Sequence, residues 1–465
     1  MTSLVSLALA GLVVVGHLPG LSTAAATAAP APTTASLQEC HLPAADGVAQ
    51  TATPEAVGLD RAKLDEAIAF AASRMRTNVQ VYRNNCLVGR GPLNDLTDNH
   101  PWNLFSGTKS VVAMVAGVAY SQGLLDLHAP IGTYLPEGKG TAEHRAITVH
   151  DLLTQTSGLK QSIISEAGTA ILDVDPNVTE QALALPLLHE PGTFFEYTQH
   201  GPNLLAYVVQ QAVGQDLQQY AQDNLFTPLG IGADNYHWSR DRSGNTYGYA
   251  FLYMPPVDFA RLGLLMLHGG RWGENQIIST DFVDQARAPS ATNPCYGFLF
   301  WTNNSPCTGP SVPSRQTTDV KPMAPLPDDA YAMMGFMHQT NFIVPSLGLL
   351  VTWTGALGDV SPDLGTVVSA NKNSELNHSF LRILAGAVND VDLPDVGPYQ
   401  PTMNPHFDPS QVMDADVFLA PFGSGAHAPA NCDVFSCGPE PLRPPFTGKE
   451  GCIALICLGP ESPGR

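Results

Sequence analysis

The chain has 465 residues, of which 44% are hydrophobic and only 14% are charged. This length exceeds what one hydrophobic core usually fills, so we expect one large composite catalytic unit with tails, or two domains, and the composition excludes global disorder. The net charge of −20 excludes a nucleic-acid-binding surface and adhesion to anionic membranes, because both need a surplus of Lys and Arg.

The N-terminus has the pattern of an export signal. The apolar run at residues 4–15 is too short to span a bilayer, and the small residues of STAAATAAP follow it. No Lys or Arg precedes the run, which is atypical of such signals. We predict a signal peptide over residues 1–29, a linker over 30–50, and a protein that is secreted or held in the cell envelope without stable membrane insertion.

Cysteine usage supports export. The chain has eight cysteines, and none shows the spacing with paired His that is typical of a zinc site. Disulfides are therefore favoured, although eight cysteines allow on the order of a hundred pairings. Three pairs are close enough in sequence to form local loops: Cys295 with Cys307, Cys432 with Cys437, and Cys452 with Cys457. That leaves Cys40 with Cys86, a pair that would pin the mature N-terminus to the first hairpin.

The first predicted elements are a helix and a hairpin. Residues 60–74 carry apolar side chains at helical spacing. The stretch NVQVYRNNCLVGRG then predicts two strands around an Asn84–Asn85 turn. A second helix is predicted from Ser106 to Tyr120, and we expect it to be buried on all sides because it is rich in Val and Ala.

Helices and a second hairpin follow. Residues 125–240 have a mostly helical pattern interrupted by Pro and Gly, and PPVDFARLGLLMLHGG continues the helical periodicity. TNFIVPSLGLLVTWTG predicts a strand, a turn and a strand, and a helix over residues 377–389 closes the unit. Beyond residue 392 Pro and Gly are dense, so we predict a poorly structured tail over 392–465 with small disulfide loops, or alternatively a small binding module.

Ser106 and Lys109 carry the chemistry that the sequence indicates. Residues three apart on a helix share a face, so the Lys109 amine stands over the Ser106 hydroxyl. A base must take the hydroxyl proton before serine becomes a good nucleophile, and the helix start supplies N–H groups for a developing oxyanion. The alternative is a serine cap with a solvated lysine, but Lys109 lies in the apolar stretch FSGTKSVVAMVAGVAY, which gives a charged head group no outlet.

Tyr197 is the third candidate catalytic residue. It stands in FEYTQHGPNLLAYVVQQAVG, in a polar loop just before an apolar helix. A phenol there can carry the proton between Ser106, Lys109 and the leaving group. The alternative is a tyrosine packed at a helix start with its hydroxyl in solvent.

Five motifs together resemble a known family. In order they are NLFSGTKSVVAMVAG, ITVHDLLTQTSGL, PGTFFEYTQHGPNLLAYVV, MPPVDFARLGLLML and GFMHQTNFIVPSLGLLVTWTG. They resemble the serine hydrolases that include class C β-lactamases, DD-peptidases, family VIII carboxylesterases and 6-aminohexanoate-dimer hydrolases, over about residues 50–390. The stretch from NYHWSRDRSG to CYGFLFW is most similar to the 6-aminohexanoate-dimer hydrolase branch.

The resemblance implies a fold and a set of site residues. The implied fold is α+β and β-lactamase/transpeptidase-like, an antiparallel sheet flanked by helices, with an inserted all-helical lobe at about 125–240 in a hydrolase domain over 51–391. The implied nucleophile is Ser106, the general base Lys109 and the proton shuttle Tyr197. HDLLTQTSGL has no catalytic role in the family, so we expect His150 and Asp151 to cap or pack.

Two departures from the family pattern concern substrate binding. Gln199 stands where the family usually has Asn, and MMGFMHQ replaces the cationic third motif. A backbone N–H between Gly335 and His338, such as that of Met337, can still complete the oxyanion hole. His338 is either a partial replacement for the lost cation or an ordinary residue of the rim.

These features predict a secreted serine hydrolase that acts on small esters or amides through an acyl-enzyme, with no cofactor, metal or nucleic acid and an oligomeric state left open. One alternative is a β-lactamase or DD-peptidase. Another is a non-catalytic secreted binding protein that keeps the fold. A metallohydrolase is disfavoured because no H-E-x-x-H or comparable spacing is present.

Overall fold

The computed structural model describes residues 36–45, 47–311, 314–359, 374–402, 408–447, 452 and 456–457. The predicted signal peptide and the first residues of the predicted linker lie outside this part of the chain. Among the described residues, no helix is both long and apolar enough to cross a bilayer.

Strand pairing among the described residues produces one large antiparallel sheet and three small ones. In chain order the strands are β1 Arg76–Arg83, β2 Cys86–Arg90, β3 Trp102–Asn103, β4 His237–Trp238, β5 Leu252–Met254, β6 Arg271–Trp272, β7 Asn275–Gln276, β8 Trp301–Thr302, β9 Cys307–Thr308, β10 Thr317–Thr318, β11 Tyr331–Met334, β12 Thr340–Val344 and β13 Leu349–Gly355. The large sheet has the order β2-β1-β13-β12-β11-β8, so the first hairpin pairs with the last strand. Val81 of β1 lies opposite Val351 of β13.

The helices surround this sheet. In chain order they are α1 Arg61–Ser73, α2 Asn94–Thr97, α3 Gly107–Ser121, α4 Ala142–Ala146, α5 Val149–Leu153, α6 Ile163–Ile171, α7 Val178–Ala184, α8 His200–Val213, α9 Leu217–Ala221, α10 Pro256–Leu267, α11 Thr280–Ala286, α12 Glu375–Ala385, α13 Pro409–Val412 and α14 Ala415–Leu419. α1 begins where predicted because the Asp60 carboxylate accepts a hydrogen bond from the Lys63 N–H.

Helices cover both faces of the large sheet. Leu350 of β13 packs where Gly263 of α10 has no side chain, while the Trp353 ring lies 4.6 Å from the Phe380 ring of α12. Side chains of a strand alternate between faces, so residues 350 and 353 place α10 and α12 on opposite faces. The predicted antiparallel sheet flanked by helices is confirmed.

The region predicted as a helical lobe is described without a gap. Between the end of α3 and the start of β4, its regular elements are the helices α4 to α9 with short 3₁₀ and π turns. The buried residues of α8 include Leu204, Leu205 and Val208, and this helix packs against α3, α5 and α7.

All four predicted disulfides are present: Cys40–Cys86, Cys295–Cys307, Cys432–Cys437 and Cys452–Cys457. The first one joins the N-terminal segment to the start of β2, next to the turn at Asn84 and Asn85, both of which have positive φ. The remaining three close short loops, as the sequence spacing predicts.

The described part of residues 392–465 makes side-chain contacts that its composition does not predict. Lys160 forms an ion pair with Asp414 at 2.6 Å, and Arg443 forms one with Asp173 at 2.7 Å. The Ser165 hydroxyl donates to the Asp414 carbonyl, and the Asp414 N–H donates back to it. The segment around α13 and α14 is thereby attached to α6.

Candidate active site

A strained turn presents Ser106 at the start of α3. Phe105, just before it, has a left-handed backbone with φ of 45°, which is uncommon for a bulky residue. The Asn103 side chain supports this turn, since its Oδ1 accepts hydrogen bonds from the Phe105 N–H at 2.9 Å and the Phe251 N–H at 3.2 Å. Ser106 is half-buried and its hydroxyl makes no capping bond to the helix, so the hydroxyl is free to face the site.

Lys109 lies one turn further along α3 and is only 1% exposed. Its Nζ donates to Ser106 Oγ at 3.2 Å, to Gln199 Oε1 at 2.5 Å and to the Tyr249 carbonyl at 3.3 Å. The amine also lies 4.7 Å from the centre of the Tyr197 ring and 5.4 Å from that of Tyr249. A solvated lysine is therefore excluded, and Lys109 is held beside the serine hydroxyl.

Tyr197 faces the same hydroxyl. It is 5% exposed, and burial raises the pKa of its phenol while a hydrogen bond with the Ser106 side chain opposes the rise. The ring stacks on Trp301 with centroids 5.8 Å apart and meets the edge of Tyr296 at 6.1 Å. The phenol is thus in contact with Ser106 and is not the solvent-exposed hydroxyl of the alternative interpretation.

Gln199 provides a polar contact for the Lys109 amine. It is 6% exposed and precedes α8, so its side chain projects from the start of that helix. Its Oε1 accepts from Lys109 Nζ at 2.5 Å, a contact for which the extra methylene of Gln relative to Asn is long enough.

The segment after β11 packs directly against the turn before Ser106. A Cβ added to Gly335 would lie 2.0 Å from the Leu104 carbonyl oxygen, so only glycine allows this approach. The rings of Phe105 and Phe336 meet edge to face at 5.5 Å. The Gly335 N–H donates to the Gln339 carbonyl at 2.8 Å, which occupies it and leaves the N–H groups of Phe336 and Met337 as the nearest alternatives in this segment.

Met337 and His338 both have left-handed backbones, with φ of 56° and 58°. Arg76 Nη1 donates to the Met337 carbonyl at 2.8 Å and the His338 carbonyl at 3.0 Å, which holds this conformation. The His338 side chain is 6% exposed, with Nε2 3.7 Å from Asp359 Oδ2. His338 is therefore buried beside Asp359 in the segment that follows β11.

Three residues of the site were not predicted. Asn103 supports the turn before Ser106, the Tyr249 carbonyl accepts a hydrogen bond from Lys109, and the buried Glu166 accepts one from the Gln199 N–H at 2.5 Å. Asn103 alone had a sequence signal, because it lies three residues before Ser106 in the first motif. Glu166 and Tyr249 lie outside the five motifs, seven residues after the second motif and five residues before the fourth.

His150 and Asp151 have the predicted structural roles. The Asp151 carboxylate accepts from the Thr148 N–H at 2.9 Å, and its own N–H donates to the Thr148 hydroxyl, which is a capping box at the start of α5. The His150 ring packs edge to face on Phe298 at 5.4 Å. Among the described residues, no group of three or more His, Cys, Asp or Glu is arranged to hold a metal ion.

Residues 69–386 match the model of the family described as Beta-lactamase. The chain is 29% identical over 160 residues to Protein flp of Staphylococcus aureus (strain MW2), which covers 34% of this chain and 32% of that protein. It is 31% identical over 146 residues to Esterase EstB of Burkholderia gladioli, which covers 28% of this chain and 37% of that protein. The matches thus span about a third of the length of these curated relatives.

Solved structures share the fold. The chain is similar to "Putative 6-aminohexanoate-dimer hydrolase from Bacillus anthracis", with a TM-score of 0.55 and 16% identity over 70% of this chain and 87% of that one. It is also similar to EstCE1, described as a hydrolase with promiscuous acyltransferase activity, with a TM-score of 0.51 and 17% identity over 70% of this chain and 98% of that one. At these identities the likeness concerns the fold alone.

Proposed function

The chain belongs to the beta-lactamase family of serine hydrolases, and we propose that it cleaves small neutral esters, and amides more slowly, through an acyl-enzyme on Ser106. The observation that carries this proposal is the contact of 3.2 Å between Lys109 Nζ and Ser106 Oγ in a site where Lys109 is buried. A base held beside a serine hydroxyl and shielded from water is what nucleophilic catalysis requires.

In the proposed reaction the neutral Lys109 amine takes the Ser106 hydroxyl proton as Oγ attacks the substrate carbonyl carbon. The carbonyl oxygen becomes an oxyanion, which the Ser106 N–H and the N–H of Phe336 or Met337 stabilise. Tyr197 passes the proton to the leaving oxygen or nitrogen as the bond to the carbonyl carbon breaks. A water molecule then attacks the acyl-enzyme, and its proton returns Ser106 to the hydroxyl form.

The surroundings of the third motif favour a neutral substrate. Met333, at the position where the family resemblance places a cation, is fully buried in β11 and has no charge. His338 has the Asp359 carboxylate beside it, which disfavours an approaching substrate carboxylate. Penicillins and stem peptides carry such a carboxylate, whereas simple acyl esters do not.

We further propose that the protein works outside the cytoplasm. Four disulfides support this, because structural disulfides persist in oxidising compartments. The predicted signal peptide would provide the export route.

A second candidate is a non-catalytic binding protein with the same fold. Gln199 in place of Asn and the absence of a cationic third motif favour it. A fluorophosphonate probe separates the two candidates, since it labels only a serine that a neighbouring base activates.

The test of the proposal is a hydrolysis screen of the purified mature protein. Short-chain p-nitrophenyl esters, linear amides and a chromogenic cephalosporin are compared at equal enzyme concentration. We expect ester cleavage together with fluorophosphonate labelling of Ser106. A protein that neither labels nor cleaves any member of the panel is the binding protein of the second candidate.

A further inference from the structure

A buried glutamate on α6 lies behind the candidate active site. Glu166 is 3% exposed, and its Oε2 accepts a hydrogen bond from the Gln199 N–H at 2.5 Å while its Oε1 accepts one from the Ser162 N–H at 2.7 Å. The His200 N–H also donates to this carboxylate. One carboxylate therefore holds the start of α8, from which the Gln199 side chain reaches Lys109.

The same carboxylate interacts with the charge of Lys109. Burial raises the pKa of Glu166 to about 7, and its N–H donors and the Lys109 cation oppose the rise. The other titratable groups that face Glu166 are Glu196, in the loop before Tyr197, and Tyr249, whose carbonyl accepts from Lys109. Within this set Lys109 alone is cationic, so the charge of Glu166 bears mainly on that amine.

We propose that Glu166 is a positioning residue of the site: it fixes the backbone of Gln199 and supplies the negative charge that sets how readily Lys109 loses its proton. This inference rests on the proposed function. The C-terminal segment also holds Glu166 in position, because the hydroxyl of the neighbouring Ser165 exchanges two hydrogen bonds of 2.9 Å with the Asp414 backbone. Glu166 contacts no reacting atom and acts through Gln199 and Lys109.

The kinetic test compares Glu166→Gln with Glu166→Asp, which keeps the charge, over pH 5 to 10 as kcat/KM for a p-nitrophenyl ester. Removal of the negative charge favours the neutral amine, so the acidic limb of the Glu166→Gln profile moves to lower pH by about one pH unit. Both variants lose about tenfold at the plateau as the start of α8 shifts. Asp258→Asn is the matched control, because Asp258 is a buried carboxyl that bonds to Asn235 and has the charge of Arg261 beside it.

A second measurement is independent of hydrolysis. In protein labelled with ¹³C at lysine Cε, the Lys109 resonance titrates at lower pH in Glu166→Gln than in the native protein. By reciprocity, Lys109→Ala raises the pKa of Glu166 above its native value, measured at ¹³C-labelled Glu166 Cδ. Because these titrations need no substrate, they answer the question even where the hydrolase proposal fails.

Two results overturn the inference. An acidic limb and a Lys109 titration that stay in place in Glu166→Gln, with only a lower Tm, would make Glu166 a structural residue. Where Glu166→Gln does not fold, an unchanged Glu166 titration in Lys109→Ala leads to the same conclusion.

Discussion

Lys109 Nζ lies 3.2 Å from Ser106 Oγ, and the two residues are one helical turn apart on α3. In the proposed mechanism the start of α3 therefore supplies the nucleophile, the base and one of the two oxyanion donors. Because the two side chains have different proposed roles, a substitution of each one tests a different step of the mechanism.

Ser106→Ala removes the atom that forms the acyl-enzyme, so we expect hydrolysis and fluorophosphonate labelling to be lost together. The free energy of unfolding should fall by no more than about 1.5 kcal/mol, because the Ser106 hydroxyl makes no capping bond and Lys109 keeps its contacts with Gln199 and the Tyr249 carbonyl. Ser110→Ala on the same helix is the matched control. It removes a buried hydrogen bond to the Leu299 carbonyl and should cost about 1 to 3 kcal/mol while labelling persists. Turnover above trace in Ser106→Ala contradicts the assignment.

Lys109→Arg keeps the positive charge but cannot supply a base. A guanidinium does not release its proton at working pH, so we expect activity as low as that of Lys109→Ala. Lys160→Arg, which keeps an ion pair with Asp414 away from the nucleophile, should retain activity. The measurement is kcat/KM on a p-nitrophenyl ester, and an active Lys109→Arg variant would mean that the base lies elsewhere.

Tyr197→Phe removes only the hydroxyl that faces Ser106. The ring contacts with Trp301 and Tyr296 remain, so Tm should hold while kcat falls by about two to four orders of magnitude. Tyr296→Phe is the matched control, because it removes a neighbouring buried phenol that bonds to Gln155. A loss of less than about fivefold in Tyr197→Phe assigns Tyr197 to packing.

Stability should fall as pH rises from 5 to 8. Burial raises the pKa of Glu166 and Asp241 to about 7 and that of Asp258 to about 6, above the ordinary values of 4.5 and 3.8. Over this window the folded state binds protons that the unfolded state has released, so the free energy of unfolding decreases until the folded pKa is passed. Burial lowers the pKa of His200 to about 4 and also lowers the pKa of His150 and His268, and these groups act in the opposite direction below about pH 6.5. Burial also raises the pKa of Asp175 and Glu196, so the raised carboxyls outnumber the lowered imidazoles.

The measurement is Tm by calorimetry at pH 5 and pH 8 in one ionic strength. We expect a Tm several degrees higher at pH 5, and a smaller difference in Asp258→Asn, which removes one of the carboxyls with a raised pKa. Equal values at the two pH values, or a higher one at pH 8, would contradict the raised pKa of these buried carboxyls.

The sequence predicted local relationships and two distant ones, the Cys40–Cys86 disulfide from the cysteine spacing and Tyr197 beside Ser106 from the family resemblance. The Ser106–Lys109 pair follows from helical spacing alone, and the strand pattern of the last hairpin follows from its alternating side chains. The contact between Lys109 and Gln199 spans 90 residues, and the carboxylate of Glu166 reaches Gln199 across 33. The sequence assigned His338 to the site because of its position in the segment that replaces the third motif. The direction of its ring depends on the left-handed backbone of Met337 and His338, which Arg76 holds.

Substrate preference depends on Gln199 and on the residues of the third motif. An alkoxide leaves with less proton assistance than an amine. With Gln199 in place of Asn and an uncharged third motif, proton transfer to the leaving group should therefore be slower, which lowers the rate of amide cleavage more than that of ester cleavage. We expect clear cleavage of short acyl esters, slower cleavage of linear amides and little action on penicillins.

The Gln199→Asn variant tests this ranking. Its side chain is one methylene shorter and loses the 2.5 Å contact with Lys109, so ester turnover should drop by about tenfold. Acylation by a penicillin should drop less, because Asn is the residue of the penicillin-recognising pattern. Stopped-flow acylation and steady-state kcat/KM for both substrates check the ratio, with Gln155→Asn as a control amide that bonds to Thr198 and not to Lys109. Native activity on a cephalosporin equal to that on an ester would overturn the ranking and would mean that a residue other than Met333 or His338 binds the carboxylate.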